Sequence, residues 1–236
     1  MMQTQVIGFE RLELRFSPKP WPFAQQGRLQ IDAYFAHLCE RNPHLWNGRI
    51  LLLHDFALAP DVFRGDYLET DFASFLAWRD WDFPDRSIRD CSAMAALRGA
   101  DGGFVLGVMA DHTANAGKVL FVGGTPDRDD IDADKVDLYG SVLRELSEET
   151  GLSTLEVAPE GGWHAVFDGM DIGMLKVFNA PVPAAALRDQ ILRFLASETQ
   201  PELADIRIVN SPGDLDPQMP TFVSAFLDHM WRSPVV

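Results

Sequence analysis

Three glutamates stand close together in the segment Arg-Glu-Leu-Ser-Glu-Glu-Thr-Gly-Leu at residues 144–152. Glu145, Glu148 and Glu149 are spaced at i, i+3 and i+4, so a helix would gather them on one turn. Like charges at this spacing cost a helix about 0.3 kcal/mol per pair. A hard divalent cation, Mg²⁺ or Mn²⁺, would offset that repulsion because both ions prefer oxygen ligands. The alternative is a solvent-facing charged surface on which Arg144 pairs with Glu148.

The residues around the glutamates indicate how the chain would position them. Apolar residues at positions 138, 142, 143 and 146 recur at helical spacing, and Gly151 follows as a C-terminal cap. Upstream, an apolar strand at 118–122 runs into Gly123 and Gly124. Glycines allow the backbone to pass close to neighbouring atoms. The expected module is therefore a buried strand, a glycine turn and an acid-rich helix.

This module resembles the signature of the Nudix hydrolases. The signature is a glycine, five residues, a glutamate, seven residues and then Arg-Glu-aliphatic-x-Glu-Glu-x-Gly-aliphatic, and residues 144–152 fit its second half without a mismatch. The resemblance implies that the three glutamates are catalytic and hold Mg²⁺, with Mn²⁺ as an alternative. It also implies that Arg144, counted with the catalytic residues, orients a glutamate through a forked ion pair. Gly123 and Gly124 would let the backbone pass close to the phosphates.

The first half of the signature departs from the pattern. Val136 occupies the position of the expected glutamate, and the chain before Arg144 is lengthened by residues 127–134. Asp134 and Asp137 are both candidates to replace that glutamate, although Asp137 fits equally well as the N-cap of the helix. Which of the two acts in its place stays open from the sequence.

The lengthened signature, with Ser-Val-Leu at residues 141–143, looks like the UDP-glucose diphosphatase branch of the superfamily. That resemblance implies cleavage of UDP-glucose to UMP and glucose 1-phosphate. ADP-ribose and dinucleotide polyphosphates stay open as substrates. A separate general base is expected from a loop, with the candidates being Glu160, Asp168, Asp171 and Glu198.

Composition narrows the choice of partners and compartment. Twenty basic residues against 35 acidic ones give a net charge of −15, which argues against nucleic acid as a partner. No apolar run approaches the roughly 18 residues of a membrane span, and residues 1–10 lack the pattern of a signal peptide. Cys39 and Cys91 form no CxxC pair, so reduced thiols in a cytoplasmic protein are expected. The sequence carries no signal for an oligomeric state.

Along the rest of the chain, the spacing of apolar residues predicts a mixed order of strands and helices. Strands are predicted over residues 5–16, 49–59, 61–68, 91–97, 104–110, 118–122, 154–157, 163–167, 172–179 and 206–209. Besides the glutamate helix, helices are predicted over residues 23–41, 72–81, 183–197 and 221–231. The acidic stretch at 127–137 is predicted to be a mobile loop. This order fits an α/β fold with a mixed sheet held between helices.

The resemblance implies the same fold class in a more specific form, an α/β/α sandwich of Nudix type with the glutamate helix on one face. It covers residues 88–236, which are expected to form the hydrolase domain. Residues 1–87 are expected to form an N-terminal α/β extension. Two other functions compete with hydrolysis. The replacement at Val136 favours a catalytically weakened nucleotide-binding sensor, and the acidic helix alone fits a protein-interaction domain.

Overall fold

The computed structural model describes residues 4–232. Residues 1–3 and 233–236, the outer ends of the two predicted regions, lie outside the described residues. The strands are β1 Gln5–Phe9, β2 Arg11–Phe16, β3 Arg49–Ala59, β4 Val62–Asp71, β5 Asp90–Arg98, β6 Phe104–Met109, β7 Val119–Leu120, β8 Val122–Gly124, β9 Ile131–Asp132, β10 Lys135–Val136, β11 Ala158–Pro159, β12 Trp163–Asp168, β13 Asp171–Asn179 and β14 Leu203–Val209. The helices are α1 Pro22–Gln26, α2 Arg28–Arg41, α3 Phe72–Asp80, α4 Leu138–Thr150, α5 Ala184–Leu195 and α6 Thr221–Arg232, with short 3₁₀ helices at Arg128–Asp130 and Pro212–Asp214.

The strands form two sheets, and both sheets mix parallel and antiparallel neighbours. The larger has the order β1-β12-β13-β5-β6-β14, with β7, β8 and β11 paired to β6, β5 and β13. Its β5 and β13 are parallel, while β12 and β13 are antiparallel. The smaller sheet has the order β3-β4-β2-β10-β9, and its β2 and β4 are parallel. The predicted α/β class with mixed pairing is confirmed.

Helices cover the larger sheet on both faces. On one face, α4 and α5 bury side chains such as Val142 and Leu187 in the same apolar cluster as residues of β5 and β13. On the other face, α6 buries Val223 and Phe226 against β6 and β12. Burying one apolar stripe of each helix against a sheet is what holds such layers together. The predicted α/β/α sandwich, with the glutamate helix on one face, is therefore confirmed. Among residues 4–232, no helix is both long and apolar enough to cross a membrane.

Four predicted elements were wrong in detail. The strand predicted over 118–122 is divided at Phe121 into β7 and β8, which pair with β6 and β5, and Gly123 and Gly124 belong to β8 instead of a turn. The strand predicted over 5–16 turns at Glu10, where the amides of Glu10 and Arg11 both bond to the carbonyl of Asp61 at 3.1 and 3.0 Å, so β1 and β2 enter different sheets. The helix predicted over 23–41 is divided into α1 and α2 at Gly27. Residues 154–157 form a turn rather than a strand, because the chain folds back on Ser153 through backbone hydrogen bonds.

The acidic segment at 127–137, predicted as a loop, has regular structure. It contains a 3₁₀ helix capped by Asp127, followed by the short antiparallel pair β9 and β10. β10 joins the smaller sheet beside β2, with Lys135 opposite Arg15. The net acidity of this segment concealed the apolar Ile131 and Val136, which pack against the main core.

Two strand pairings connect the N-terminal region with the rest of the chain. β1 pairs with β12 in the larger sheet, and β2 pairs with β10 in the smaller one. Residue 88, the predicted boundary, lies just before β5. The division into residues 1–87 and 88–236 stays a prediction.

Candidate active site

Helix α4 carries the three glutamates, and its apolar face explains why it forms. Leu138, Val142 and Leu146 are fully buried against the larger sheet. The helix ends at Gly151, whose positive φ of 68° is the left-handed conformation that glycine adopts without strain. Asp137 stands at the N-cap position, yet within the described residues its side chain makes no capping hydrogen bond. The buried face sets the rotation of the helix and therefore the direction of each glutamate.

The three glutamates lie in different surroundings. Glu149 is buried, with 7% of its surface exposed. The side chain of Glu145 is 21% exposed, and that of Glu148 is 62% exposed. Glu145 and Glu149 are therefore the two carboxylates that folding removes from water, while Glu148 stands at the rim.

The guanidinium of Arg144 contacts two of these glutamates and one further acid. It donates to Glu145 at 2.7 Å and lies 3.6 Å from Glu148. Its other terminal nitrogen donates to Asp130 at 3.0 Å. Asp130, from the 3₁₀ helix, is the acid that meets Arg144 near the position where the signature glutamate is missing. Neither Asp134 nor Asp137, the two sequence candidates, is among the carboxylates of the described chain that pair with Arg144.

The two glycines that end β8 contact α4 through the backbone. The amide of Gly123 donates to the carboxylate of Glu149 at 3.2 Å. Gly123 has φ of 137°, and a Cβ there would lie 2.2 Å from the carbonyl oxygen of Ala93 in β5. Only glycine fits such a close approach of two backbones. Gly124 is free of this restriction, since among residues 4–232 no atom outside its chain neighbours lies within 4 Å of a Cβ built on it.

Burial and crowding raise the pKa values of these carboxyls above their ordinary range. Burial raises the pKa of Glu145 to about 7, with Glu148 and Glu202 adding to the rise and Arg144 acting against it. Burial together with the charges of Glu145 and Glu202 raises the pKa of Glu149 to about 8, against the lowering effect of the Gly123 amide. Ionised carboxylates in such a place repel each other, and a nearby cation would relieve that repulsion.

Glu202 is a further carboxylate near the α4 glutamates, and sequence reasoning did not single it out. It is exposed and precedes β14, where its carbonyl accepts a hydrogen bond from the amide of Ala110 at 2.8 Å. Its charge acts on both Glu145 and Glu149. Nothing in the spacing of acids along the chain marks it, because only the pairing of β6 with β14 brings it to this edge of the sheet.

The four acids suggested as a general base lie in other surroundings. Glu160 pairs with Arg98 at 2.8 Å, and Asp168 accepts from Thr4. Asp171 lies opposite Asp90 in the sheet, and Glu198 follows the end of α5. Among the described residues, none of the four is a leading influence on the pKa of Glu145 or Glu149.

The donors of this site fit a hard cation in chemistry and charge. Glu145, Glu149 and Glu202 offer only oxygen atoms, as Mg²⁺ and Mn²⁺ prefer, and the raised pKa values show that negative charge there lacks full compensation. Within residues 4–232, however, no three His, Cys, Asp or Glu side chains are close enough together to hold a metal ion. Binding an ion through three carboxylates therefore requires side-chain movement, for which the exposed Glu148 and Glu202 have room.

Comparison with known proteins finds weak similarities to solved structures. No family model matches this chain, and neither does any curated protein sequence. Among solved structures, a Nudix hydrolase from M. smegmatis, RenU, is similar at 15% identity and a TM-score of 0.37, covering 62% of this chain and 87% of that one. The MutT protein of Methanosarcina mazei Go1 is similar at 19% identity and a TM-score of 0.37, covering 61% and 94%.

A third solved structure is the bifunctional NMN adenylyltransferase/ADP ribose pyrophosphatase of Francisella tularensis, complexed with AMP and a Mn ion. It is similar at 13% identity and a TM-score of 0.41, over 66% of this chain and 45% of that one. Similarities of this size do not define a function.

Proposed function

We propose that this chain is a metal-dependent hydrolase of the diphosphate bond in nucleoside diphosphate compounds. The observation that carries the proposal is the pair of largely buried carboxylates, Glu145 and Glu149, of which the first accepts from the guanidinium of Arg144 and the second from the backbone amide of Gly123. A stable fold gains nothing from two mutually repelling buried acids, and such groups cluster at functional sites. The Nudix-like spacing of residues 144–152 supports the same reaction class.

Each side chain has a distinct part in the proposed reaction. Mg²⁺ or Mn²⁺, when bound, supplies charge neutralisation at the phosphate oxygens. Glu145 and Glu149, with Glu148 or Glu202, would hold the ion through carboxylate oxygens. Hydrolysis joins a water oxygen to one phosphorus, and the bridging oxygen leaves with the other phosphate. Where Glu148 completes the ligands of the ion, Glu202 is the proposed acceptor of the proton of that water, because it is exposed and its charge acts on both Glu145 and Glu149.

The favoured substrate class is the nucleoside diphosphate sugars, and UDP-glucose is the first candidate. The support is the lengthened signature between Gly124 and Arg144, which resembles the UDP-sugar branch. ADP-ribose and dinucleotide polyphosphates are the alternatives. An acidic protein of net charge −15 needs a cation to approach any of these anionic substrates.

A substrate panel tests the proposal. The purified chain is incubated with UDP-glucose, ADP-ribose and dinucleotide polyphosphates, each with Mg²⁺, Mn²⁺ or EDTA, and the products are separated by chromatography. The expected result is cation-dependent release of a nucleoside monophosphate, which is UMP together with glucose 1-phosphate for UDP-glucose. Absence of turnover for every compound with either cation would overturn the proposal.

A nucleotide-binding sensor is the second candidate, and one observation favours it. Val136, where the signature has a glutamate, is buried in the core and offers no polar atom to the site. Saturable binding of a nucleotide without turnover in the same panel would identify a sensor. The third alternative, an interaction domain with an acidic face, predicts no saturable nucleotide binding. A reducing, cytoplasmic location belongs to the proposal as well, and the free thiols of Cys39 and Cys91 are consistent with it.

A further inference from the structure

Asp130 is a buried acid whose two carboxylate oxygens are both used. One oxygen accepts from Arg144 at 3.0 Å, and the other accepts from the backbone amide of Asp127 at 2.9 Å. Only 2% of its side chain is exposed. A buried charge is tolerated when it is paired and hydrogen-bonded, and removing one partner is then costly. The position of Asp130 is therefore tightly determined by its contacts.

Arg144 links Asp130 to the glutamates of α4, because it donates hydrogen bonds to both Asp130 and Glu145. Its guanidinium is a rigid planar fork, so fixing one terminal nitrogen fixes the direction of the other. The nitrogen held by Asp130 leaves the second one aimed at Glu145, 2.7 Å away, with Glu148 at 3.6 Å. Without Asp130, Arg144 would be free to turn toward the exposed Glu148 and away from Glu145.

The smaller sheet holds the segment that carries Asp130. The amide of Leu51 in β3 donates to the carbonyl of Pro126 at 2.7 Å, and Ile50 forms an isolated bridge with Asp127. Arg128, the residue after Asp127, pairs with Glu69 of β4 at 2.6 Å. β10 continues the same sheet beyond Asp130. The 3₁₀ helix is thus attached to N-terminal strands on both sides of Asp130.

We propose that Asp130 is a positioning residue, which sets Arg144 and through it Glu145, and that the N-terminal strands β3 and β4 hold it in place. This inference rests on the proposed function. Asp130, from the lengthened segment, would then replace the missing glutamate of the signature. The N-terminal region would contribute to the active site by holding Asp130. Val136 cannot serve in this way because its side chain belongs to the apolar core.

The first test compares Asp130→Asn with Asp129→Asn, an exposed acid of the same 3₁₀ helix. Mutating a residue that orients a metal ligand typically lowers metal affinity or activity 10–100-fold. Asp130→Asn is expected to lower kcat about 10–100-fold with little change in KM, and to weaken Mn²⁺ binding, measured by calorimetry without substrate, in the same range. Asp130→Glu, which keeps the charge, is expected to recover part of both losses. Asp129→Asn is expected to match wild type.

A second variant avoids any loss of a buried charge. Arg128→Gln removes a side chain that is 68% exposed and weakens the link to Glu69. Its matched control is Arg232→Gln, an exposed arginine paired with Asp228 at 3.1 Å and remote from the segment. Arg128→Gln is expected to lower kcat by about 2–10-fold, below the range for the direct partner, while Arg232→Gln leaves kcat unchanged.

The outcomes separate this inference from the proposed function. Wild-type kcat and Mn²⁺ affinity in Asp130→Asn would overturn the inference alone, and an unchanged kcat in Arg128→Gln would overturn the part assigned to β3 and β4. A wild-type protein that neither hydrolyses the panel nor binds Mn²⁺ would overturn the proposed function, and the inference with it.

Discussion

The carboxylate of Glu149 accepts a hydrogen bond from the backbone amide of Gly123 at 3.2 Å. This bond joins the last turn of α4 to a glycine strand that precedes it in the chain. The amide is a fixed donor, so it holds one oxygen of the most buried glutamate while the other stays available. The glycine end of β8 and the acidic helix therefore act as one unit, and a change in either is expected to disturb the other.

The two glycines of β8 should respond differently to substitution. Gly123→Ala would place a Cβ 2.2 Å from the carbonyl oxygen of Ala93 at a φ of 137°, so the backbone must shift. Strain of this kind costs on the order of 1–3 kcal/mol. We expect Gly123→Ala to lower the free energy of unfolding in urea by at least about 2 kcal/mol.

Gly124→Ala is the matched control for that substitution. Among residues 4–232, no atom beyond its chain neighbours lies within 4 Å of the added Cβ. Its stability is expected to stay within about 0.5 kcal/mol of wild type, as for an ordinary surface substitution. Equal destabilisation of the two variants would show that the close approach of the backbones at Gly123 is not what requires glycine in β8.

Removing the charge of a buried glutamate should separate activity from stability. Glu145→Gln and Glu149→Gln keep the shape of each side chain but remove one of two mutually repelling carboxylates. We expect each to lower kcat by at least about 10²-fold, as for loss of a catalytic electrostatic contact. The melting temperature without divalent cations should equal or exceed that of wild type, because burial penalises the ionised form. Wild-type kcat in either variant would refute its catalytic role.

Local sequence patterns predicted the elements of this site well. The spacing of apolar residues predicted α4. Gly151 predicted the end of that helix, because glycine is the residue favoured in the left-handed conformation of a C-terminal cap. β3 has the bounds that were predicted, Arg49–Ala59, since its long apolar run is flanked by clear turn residues. These features depend on neighbours within a few positions, which the sequence displays directly.

The remaining site residues depend on contacts between distant parts of the chain. Asp130 becomes buried only because Leu51 and Glu69, far earlier in the sequence, hold its segment. Glu202 approaches the glutamates only because β14 pairs with β6. Along the sequence, Asp130 is one of several acids in an acidic stretch, and Glu202 is one of the two acids, with Glu198, between α5 and β14. Residue type and spacing cannot separate them from neighbours that face water.

A pair of aspartates outside the carboxylate site should make stability depend on pH. Asp90 and Asp171 are neighbours on the parallel strands β5 and β13. Burial and the charge of Asp171 raise the pKa of Asp90 to about 7, against a hydrogen bond from Thr125. Burial and the charge of Asp168 raise the pKa of Asp171 to about 6. Unfolding returns both to about 3.9.

Between about pH 4 and pH 7, the folded chain therefore binds more protons than the unfolded chain. The contribution of these two carboxyls to the free energy of unfolding is fully present below about pH 4, and it is lost as the pH rises through 6 and 7. Asp90→Asn keeps an oxygen that can accept the hydrogen bond from Thr125, and it removes one of the two titrating carboxyls. We expect this variant to melt above wild type at pH 8 and to match it more closely at pH 5. Parallel pH profiles of the two proteins would contradict the assignment.

Divalent cations should stabilise the folded chain through the glutamates of α4. A ligand that binds only the folded state at 100 times its Kd adds about 2.7 kcal/mol, and for a chain of this size 1 kcal/mol shifts Tm by about 2–4 °C. Saturating Mn²⁺ is therefore expected to raise the wild-type Tm by roughly 5–10 °C. The double variant Glu145→Gln/Glu149→Gln should lose the shift, while Glu40→Gln, an exposed glutamate on α2, should keep it. An equal Mn²⁺ shift in the double variant would place the cation elsewhere in the protein.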